Sequence, residues 1–440
     1  MFENVCTLPL TGAIVSQALH PTEPIVTVGL YNGRVQSFRL PATGRPSVDD
    51  MAKGTIETLW ETRRHKQGCR ALGYTPDGNA MFSAGADGFV KHFESRTGRV
   101  ISKLNIPTYH NAPDHPSILH ALDANHLLLG CDSGALHVFD VRANGLASRP
   151  ARTTNPHGDC VSSINPVQAF EDEYLLKPAS GPPRQFVTTG GSTIAVSDIR
   201  TDKVVESEDQ EDDLLCATYV PGLGLKGAVH GALAVGCSTG VVTLWDRGSW
   251  DDQQDRVVID KDESIDALVR VPAELGYGGR HGKAVFAATG DGRLTMIDTM
   301  KGRIIDGASL RHDDTEGVVA GGFDCYNRLI TGGGMIVKVW EDLSELQGSG
   351  DEEEDEDEEE EDEEDDDSEA GEDEESEEDE EEAKKGTKRS RDESSDDSDS
   401  DSEDEREREK RERQRIKKEA TAARLGPMGA HGILKFEGLD

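Results

Sequence analysis

ALAVGCSTGVVTLWD, residues 232–246, is the stretch on which the fold turns. It opens on an apolar run that shrinks to small residues and passes through Ser238-Thr239-Gly240. It closes on a second apolar run ending in Trp245 and Asp246. Two short apolar runs on either side of a Gly-bearing turn read as a β-hairpin, because Gly and small polar residues tolerate the positive φ that tight turns demand. The unit recurs as IVTVGLYNGRVQSF (25–38), AMFSAGADGFVKHF (80–93), HLLLGCDSGALHVFD (126–140) and QFVTTGGSTIAVSD (185–198), then as AVFAATGDGRLTMID (284–298) and LITGGGMIVKVWED (329–342). That makes seven copies, whose closing residues Phe38, Phe93, Phe139, Ser197, Trp245, Ile297 and Trp340 lie 43 to 58 positions apart.

Each hairpin is flanked by further strand signals. Before it runs an alternating segment such as IVSQALHP (14–21), CRALGYTP (69–76), LLCATYVP (214–221) or IDALVRVP (265–272); after it comes a more polar one, such as TIETLWET (55–62) or RVVIDKDE (256–263). Four short strands repeating at this spacing predict an all-β protein, a seven-bladed β-propeller over residues 1–346. The seventh copy stops at its third strand. FENVCTLPL (2–10) precedes the first complete unit and is expected to pair outside the strand at 335–341, closing the ring and removing an open edge.

The units resemble WD40 repeats. TLWD (243–246), HVFD (137–140) and VKVWED (337–342) match the strand that ends in the Trp-Asp dipeptide, and TPDG (75–78) matches the turn after the first strand. The resemblance assigns structural roles to Asp140, Trp245, Asp246 and Trp340. It also implies a buried set in which a His before the first strand bonds a Ser or Thr and a hairpin Asp. Only the second unit keeps such a set, His65, Ser83 and Asp87; the third and fifth hairpins carry Ser133 and Thr239 in place of Asp, and the seventh only glycines. FDVR (139–142) and SDIR (197–200) are similar to the Asp-x-Arg end of the box by which substrate receptors of cullin-RING ubiquitin ligases meet their adaptor. That likeness implies contact roles for Asp140, Arg142, Asp198 and Arg200.

Chemistry-bearing patterns are sparse. LGYGGRHGKA (275–284) lacks the first Gly and the terminal hydroxyl of a phosphate loop and falls between strands, so it reads as a surface hairpin loop. His110, His115, His120 and His126 are spaced too widely, over a loop and a strand, for a metal set. Seven cysteines without a CxxC pair read as reduced, buried thiols of a cytosolic or nuclear protein. No catalytic constellation, cofactor motif or metal set is expected. No apolar run approaches the ~20 residues of a membrane span, and MFENVCTLPLTGAIV, without a basic n-region or cleavage site, reads as mature protein.

Charge divides the chain. Residues 351–440 hold 43 acidic and 15 basic side chains; the first 350 hold 44 and 32, a mildly acidic globular composition. Residues 351–382 contain 28 Asp or Glu and no base, which predicts a solvated, disordered segment within 347–404 that attracts basic proteins such as histones or ribosomal proteins. KKGTKRSR (384–391) reads as a nuclear import signal through Lys384, Lys385, Lys388, Arg389 and Arg391. Ser394, Ser398, Ser400 and Ser402 each precede an acid by three positions and are candidate phosphosites. Residues 405–425 predict a charged, solvent-exposed helix. In 426–440, Ile433, Leu434, Phe436 and Leu439 form a small apolar docking motif.

Together, the opening MFENVCTLPL, HPTEPIVTVGL and RRHKQGCRAL, the degenerate propeller, the acidic segment, the basic patch and the terminal KFEGL resemble the fungal Jumonji-interacting WD-repeat proteins, counterparts of an animal nucleolar WD-repeat protein. The resemblance implies a monomeric, non-catalytic nucleolar scaffold for large ribosomal subunit biogenesis and rRNA processing. Its partners would be assembly factors or basic ribosomal proteins, with weak rRNA contact at most and no membrane. Two alternatives come from other classes, a ubiquitin-ligase substrate receptor and a histone-binding chromatin protein.

Overall fold

A computed structural model describes residues 2–342 apart from 42–55, 111, 142–148, 168–169, 173–176, 179–182, 202, 223–230 and 278–282. Arg142, the basic patch, the phosphosites, the charged helix and the terminal docking motif lie outside the described residues.

Seven four-stranded antiparallel sheets succeed one another along the chain, six of them in simple first-to-fourth order. The first strands of successive blades pack on one another around a full circle, the seventh back onto the first, and so line a central channel. In six blades the first strand carries a register shift near its start, as between Ile14 and Ser16 or Cys69 and Ala71. An extra residue at that point increases local twist.

Burial follows strand position. The second strands Ile25–Leu30, Ala232–Cys237 and Ala284–Thr289 are buried at every residue, because both of their faces meet neighbouring blades. This is why they read as unbroken apolar runs rather than as alternation. The outer strand Val100–Asn105 is mostly exposed. The core lies between blades: Phe82, Leu129 and Phe139 share one cluster across blades two and three, and Phe286, Met296 and Trp340 another across six and seven.

The seventh blade closes with the N-terminus. Strand Phe2–Pro9 pairs antiparallel with Ile336–Asp342, Phe2 opposite Asp342 and Pro9 opposite Ile336. The Leu10 amide then donates to Met335 O and the Ile14 amide to Gly334 O, both at 2.8 Å. Phe2 is 6% exposed, its ring 5.5 Å from Phe286, 5.7 Å from Tyr277 and 6.1 Å from Phe323. Arg328 Nη2 donates to Asp324 Oδ2 at 2.6 Å inside blade seven, and its Nη1 reaches Pro41 O of blade one at 2.8 Å. The edge that a six-and-three-quarter-blade chain would leave open is therefore capped.

Three details depart from the sequence reading. The segment after IDALVRVP contains a one-turn 3-10 helix, Ala273–Leu275, which follows Pro272 and ends at Gly276 with φ 71°. Two small ribbons, Thr108–Tyr109 with Ala112–Pro113 and Phe170–Asp172 with Lys177–Pro178, lie outside the seven sheets. The thiols are not uniformly buried: Cys69, Cys131 and Cys237 are, but Cys6, Cys160 and Cys216 are half-buried and Cys325, in the turn between the first two strands of blade seven, is exposed.

Candidate functional site

In blades two to seven the loop that enters the blade is pinned to that blade's hairpin in one of two ways. In blade two, His65 Nδ1 lies 2.9 Å from Asp87 Oδ1 and its Nε2 2.9 Å from Ser83 Oγ. Burial lowers the His65 pKa, partly offset by Asp87. Although burial works against it, the Lys66 amide and the His65 ring hold the Asp87 carboxyl below its ordinary value. The complete set with a hairpin Asp is that of blade two, but two further blades keep the imidazole without the Asp, which the sequence reading did not foresee. In blade four His157 bonds Thr188 Oγ1 at 2.8 Å and Thr193 Oγ1 at 3.0 Å; in blade seven His312 bonds Thr331 Oγ1 at 2.8 Å, which also receives Trp340 Nε1 at 2.8 Å. Burial pushes His157 down to about 4 and lowers His312.

A sequence signal for these rings does exist. Facing each is a glycine ending the second strand, Gly85, Gly190 or Gly333. A Cβ there would lie 2.3 Å from His65 Nδ1, 2.6 Å from His157 Cγ, or 3.2 Å from His312 Cδ2 and 2.1 Å from Gly317 O.

Blades three, five and six exchange the roles. The entering loop supplies a carboxylate and the hairpin supplies the donor. Ser133 Oγ donates to Asp114 Oδ2 at 2.6 Å, Ser238 Oγ to Asp212 Oδ1 at 2.6 Å, and Thr239 Oγ1 to Asp212 Oδ2; Arg293 joins Asp260 to hairpin Asp291. Hence Ser133 and Thr239 stand where an acid was expected. With no ring to accommodate, the glycine position holds Cys131, Cys237 or Thr289. Trp245, fully buried, donates to Thr243 Oγ1 at 2.9 Å beside Asp246 at the end of its strand.

Asp140 and Asp198 end the third strands of adjacent blades. Arg200 folds back on Asp198, with Nε 2.9 Å from Oδ1 and Nη2 2.6 Å from Oδ2, and this hydrogen bonding holds the Asp198 carboxyl low. The Arg200 guanidinium is therefore engaged within its own turn. The four clustered histidines are not brought together. His126 pairs with Asp123 at 2.8 Å, His110 and His115 are exposed, and desolvation pushes the half-buried His120 down to about 4.

The two ends of the channel differ in chemistry. At the end where the first strands of blades one to three run into their turns lies a cleft of about 710 Å³, walled by Leu19, Leu72, Tyr74, Leu119 and Leu122, with Gln17 and His120 as polar points. The opposite end carries three successive acidic loops. SEDQEDD (207–213), IDKDES (259–264) and HDDTEG (312–317) enter blades five, six and seven, holding eleven carboxylates against one lysine and one histidine. Among these, Glu208, Asp209, Glu211, Asp213, Asp262, Asp314 and Glu316 are exposed. On the same end, Arg63, Arg64, Lys66, Lys91 and Lys103 gather around a 520 Å³ depression at blade two. Averaged over 350 residues the charge looks unremarkable, so the sequence reading passed over these loops.

Comparison with known proteins gives consistent relatives. The chain is 44% identical over 365 residues to the WD repeat-containing protein JIP5 of Coccidioides immitis, covering 80% of this chain and 84% of that one. It is 46% identical over 364 residues to jip5 of Botryotinia fuckeliana (78% and 83%), and 43% over 358 to jip5 of Aspergillus niger (78% and 82%). No protein-family model matches the chain.

Proposed function

The chain belongs to the JIP5 family of WD repeat-containing proteins, and from that premise we propose that it is a non-catalytic nucleolar scaffold that gathers basic assembly factors or ribosomal proteins during large ribosomal subunit biogenesis. The observation that carries this reading is the arc of acidic loops at 207–213, 259–264 and 312–317 on one end of a closed propeller. A rigid ring of blades fixes those carboxylates relative to one another. Their field favours cationic partners and repels naked nucleic acid. The acid run 351–382 has the same preference, and KKGTKRSR supports nuclear import. The cleft at the other end suits apolar side chains of an extended peptide, so one scaffold can hold two partners.

Affinity purification from nuclear extract tests this, comparing the native chain with a variant carrying Asp209→Lys, Glu211→Lys and Asp213→Lys. Large-subunit precursor proteins should co-purify with the native chain, and recovery of the basic ones should fall in the variant and with rising salt. Their absence from the native eluate would overturn the proposal. Recovery of histones alone would favour a chromatin role instead.

A further inference from the structure

We propose that blade three binds one Zn²⁺ ion between Asp114, Cys131 and His137. Asp114 lies in the loop entering the blade, Cys131 ends the second strand His126–Cys131, and His137 sits in the third strand Leu136–Asp140. One donor atom from each residue lies within 4.8 Å of the other two. Tetrahedral zinc with bonds of about 2.0–2.3 Å sets its ligand atoms roughly 3.3–3.8 Å apart, so a contraction of about 1 Å suffices. All three side chains are buried, at 7%, 0% and 3% exposure.

The cluster contains a polar atom that the fold leaves unsatisfied. His137 Nδ1 bonds Thr153 Oγ1 at 2.8 Å, while Nε2, buried, has no hydrogen-bond partner. With Nδ1–H donated to Thr153, Nε2 carries the lone pair a metal requires, the arrangement by which outer partners orient ligating imidazoles. Asp114 presents a second anomaly. It is a buried carboxylate that meets the Ser133 hydroxyl and the Cys131 thiol, and no Lys or Arg among the described residues pairs with it. Burying an anion without a cation is costly.

The donor set selects the ion. A thiolate and an imidazole favour zinc over the hard cations, and Asp114 Oδ1 completes three protein ligands with a fourth position for water. On binding, three metal–ligand bonds form and the Cys131 thiol proton passes to solvent, with no change of oxidation state. The ion would tie the entering loop to two strands, which is what the imidazole does in blades two, four and seven. Among the described residues, no other blade brings such a donor set together.

The test uses the full chain, stripped with chelator and titrated with Co²⁺. One equivalent should produce thiolate-to-cobalt charge-transfer absorption with tetrahedral d–d bands, and Zn²⁺ should displace it and raise Tm. The acidic segment offers only oxygen donors, so it cannot mimic the charge-transfer signal. Cys131→Ser should abolish it, His137→Gln should abolish the tetrahedral bands, and Cys325→Ser, an exposed thiol elsewhere, should change nothing. Thr153→Val should weaken binding about 10–100-fold. Absence of charge transfer in the native chain, whatever the variants' folding, would overturn the proposal. So would its retention in Cys131→Ser.

Discussion

Phe2→Ala probes ring closure most directly. The ring is 6% exposed and wedged among Tyr277, Phe286 and Phe323, all belonging to blades six and seven. Truncating a buried Phe costs about 3–5 kcal/mol, including the cavity it leaves. For a domain near 340 residues, an unfolding entropy of about 2.1 cal/mol/K per residue gives roughly 0.7 kcal/mol/K at the midpoint, so Tm should fall by about 4–7 °C. Glu3→Ala is the control, since Glu3 is exposed on the same strand and its loss should stay within about 0.5 kcal/mol. Calorimetry on both variants gives Tm, and hydrogen exchange locates the effect. Amides of Ile336–Asp342 bonded to the N-terminal strand should exchange faster in Phe2→Ala, while those of blade three keep their protection. A Phe2→Ala protein that melts within about 1 °C of the native one, with Ile336–Asp342 equally protected, would refute the closure argument.

Acid sensitivity follows from the buried imidazoles. Burial pushes His157 down to about 4 from an ordinary value near 6.5, so the unfolded chain binds more protons between those values. Stability is full above about pH 6.5 and falls as pH drops toward 4, by up to ~3 kcal/mol from this residue alone. Urea denaturation across that range should show the slope, and His157→Gln should flatten it while lowering stability at pH 7.5. Gly85→Ala should cost about 1–3 kcal/mol, because the new methyl would lie 2.3 Å from His65 Nδ1 and must dislodge the ring. A native-like melt together with an unshifted His65 proton resonance would count against the ring–glycine argument.

The hairpins were legible because their turns need Gly and their strands sit in a fixed two-residue alternation or an unbroken apolar run. The closing strand was legible too, since a seventh unit lacking its outer strand and an unassigned FENVCTLPL fit one another. His157 and His312 were not, because each bonds threonine without the hairpin Asp that the expected set includes. The signal lay instead in Gly190, where a Cβ would meet the His157 ring, and in Gly333, where it would meet Gly317 O and then the His312 ring. Asp114, Cys131 and His137 have no ligand-like spacing; a loop and two strands of one blade bring them together. Exposed Cys325 reflects a turn held by Asp324 and Arg328 on the surface side of the blade, a placement that apolar neighbours in sequence do not encode.

Degeneracy among the repeats is therefore not simple erosion of a common pattern. Two solutions fill the same slot, and each constrains a second position. An imidazole from the loop stands against a glycine on the strand in blades two, four and seven, and in two and four the ring itself excludes a Cβ there. A carboxylate from the loop demands a donor in the hairpin and admits Cys131, Cys237 or Thr289 opposite. The choice has a consequence for function, because a loop anchored by a carboxylate can carry further carboxylates without displacing its anchor. SEDQEDD and IDKDES, the loops of blades five and six, do so: Asp212 and Asp260 are engaged inward while Asp209, Glu211, Asp213 and Asp262 remain exposed. Blade seven reaches the same outcome differently, with buried His312 as anchor and Asp314 and Glu316 exposed beyond it. The residues that hold these blades shut thus also set where the acidic surface can lie, and substitutions at Asp212 or Asp260 should disturb stability and basic-partner binding together, whereas those at Asp213 or Asp262 should disturb binding alone.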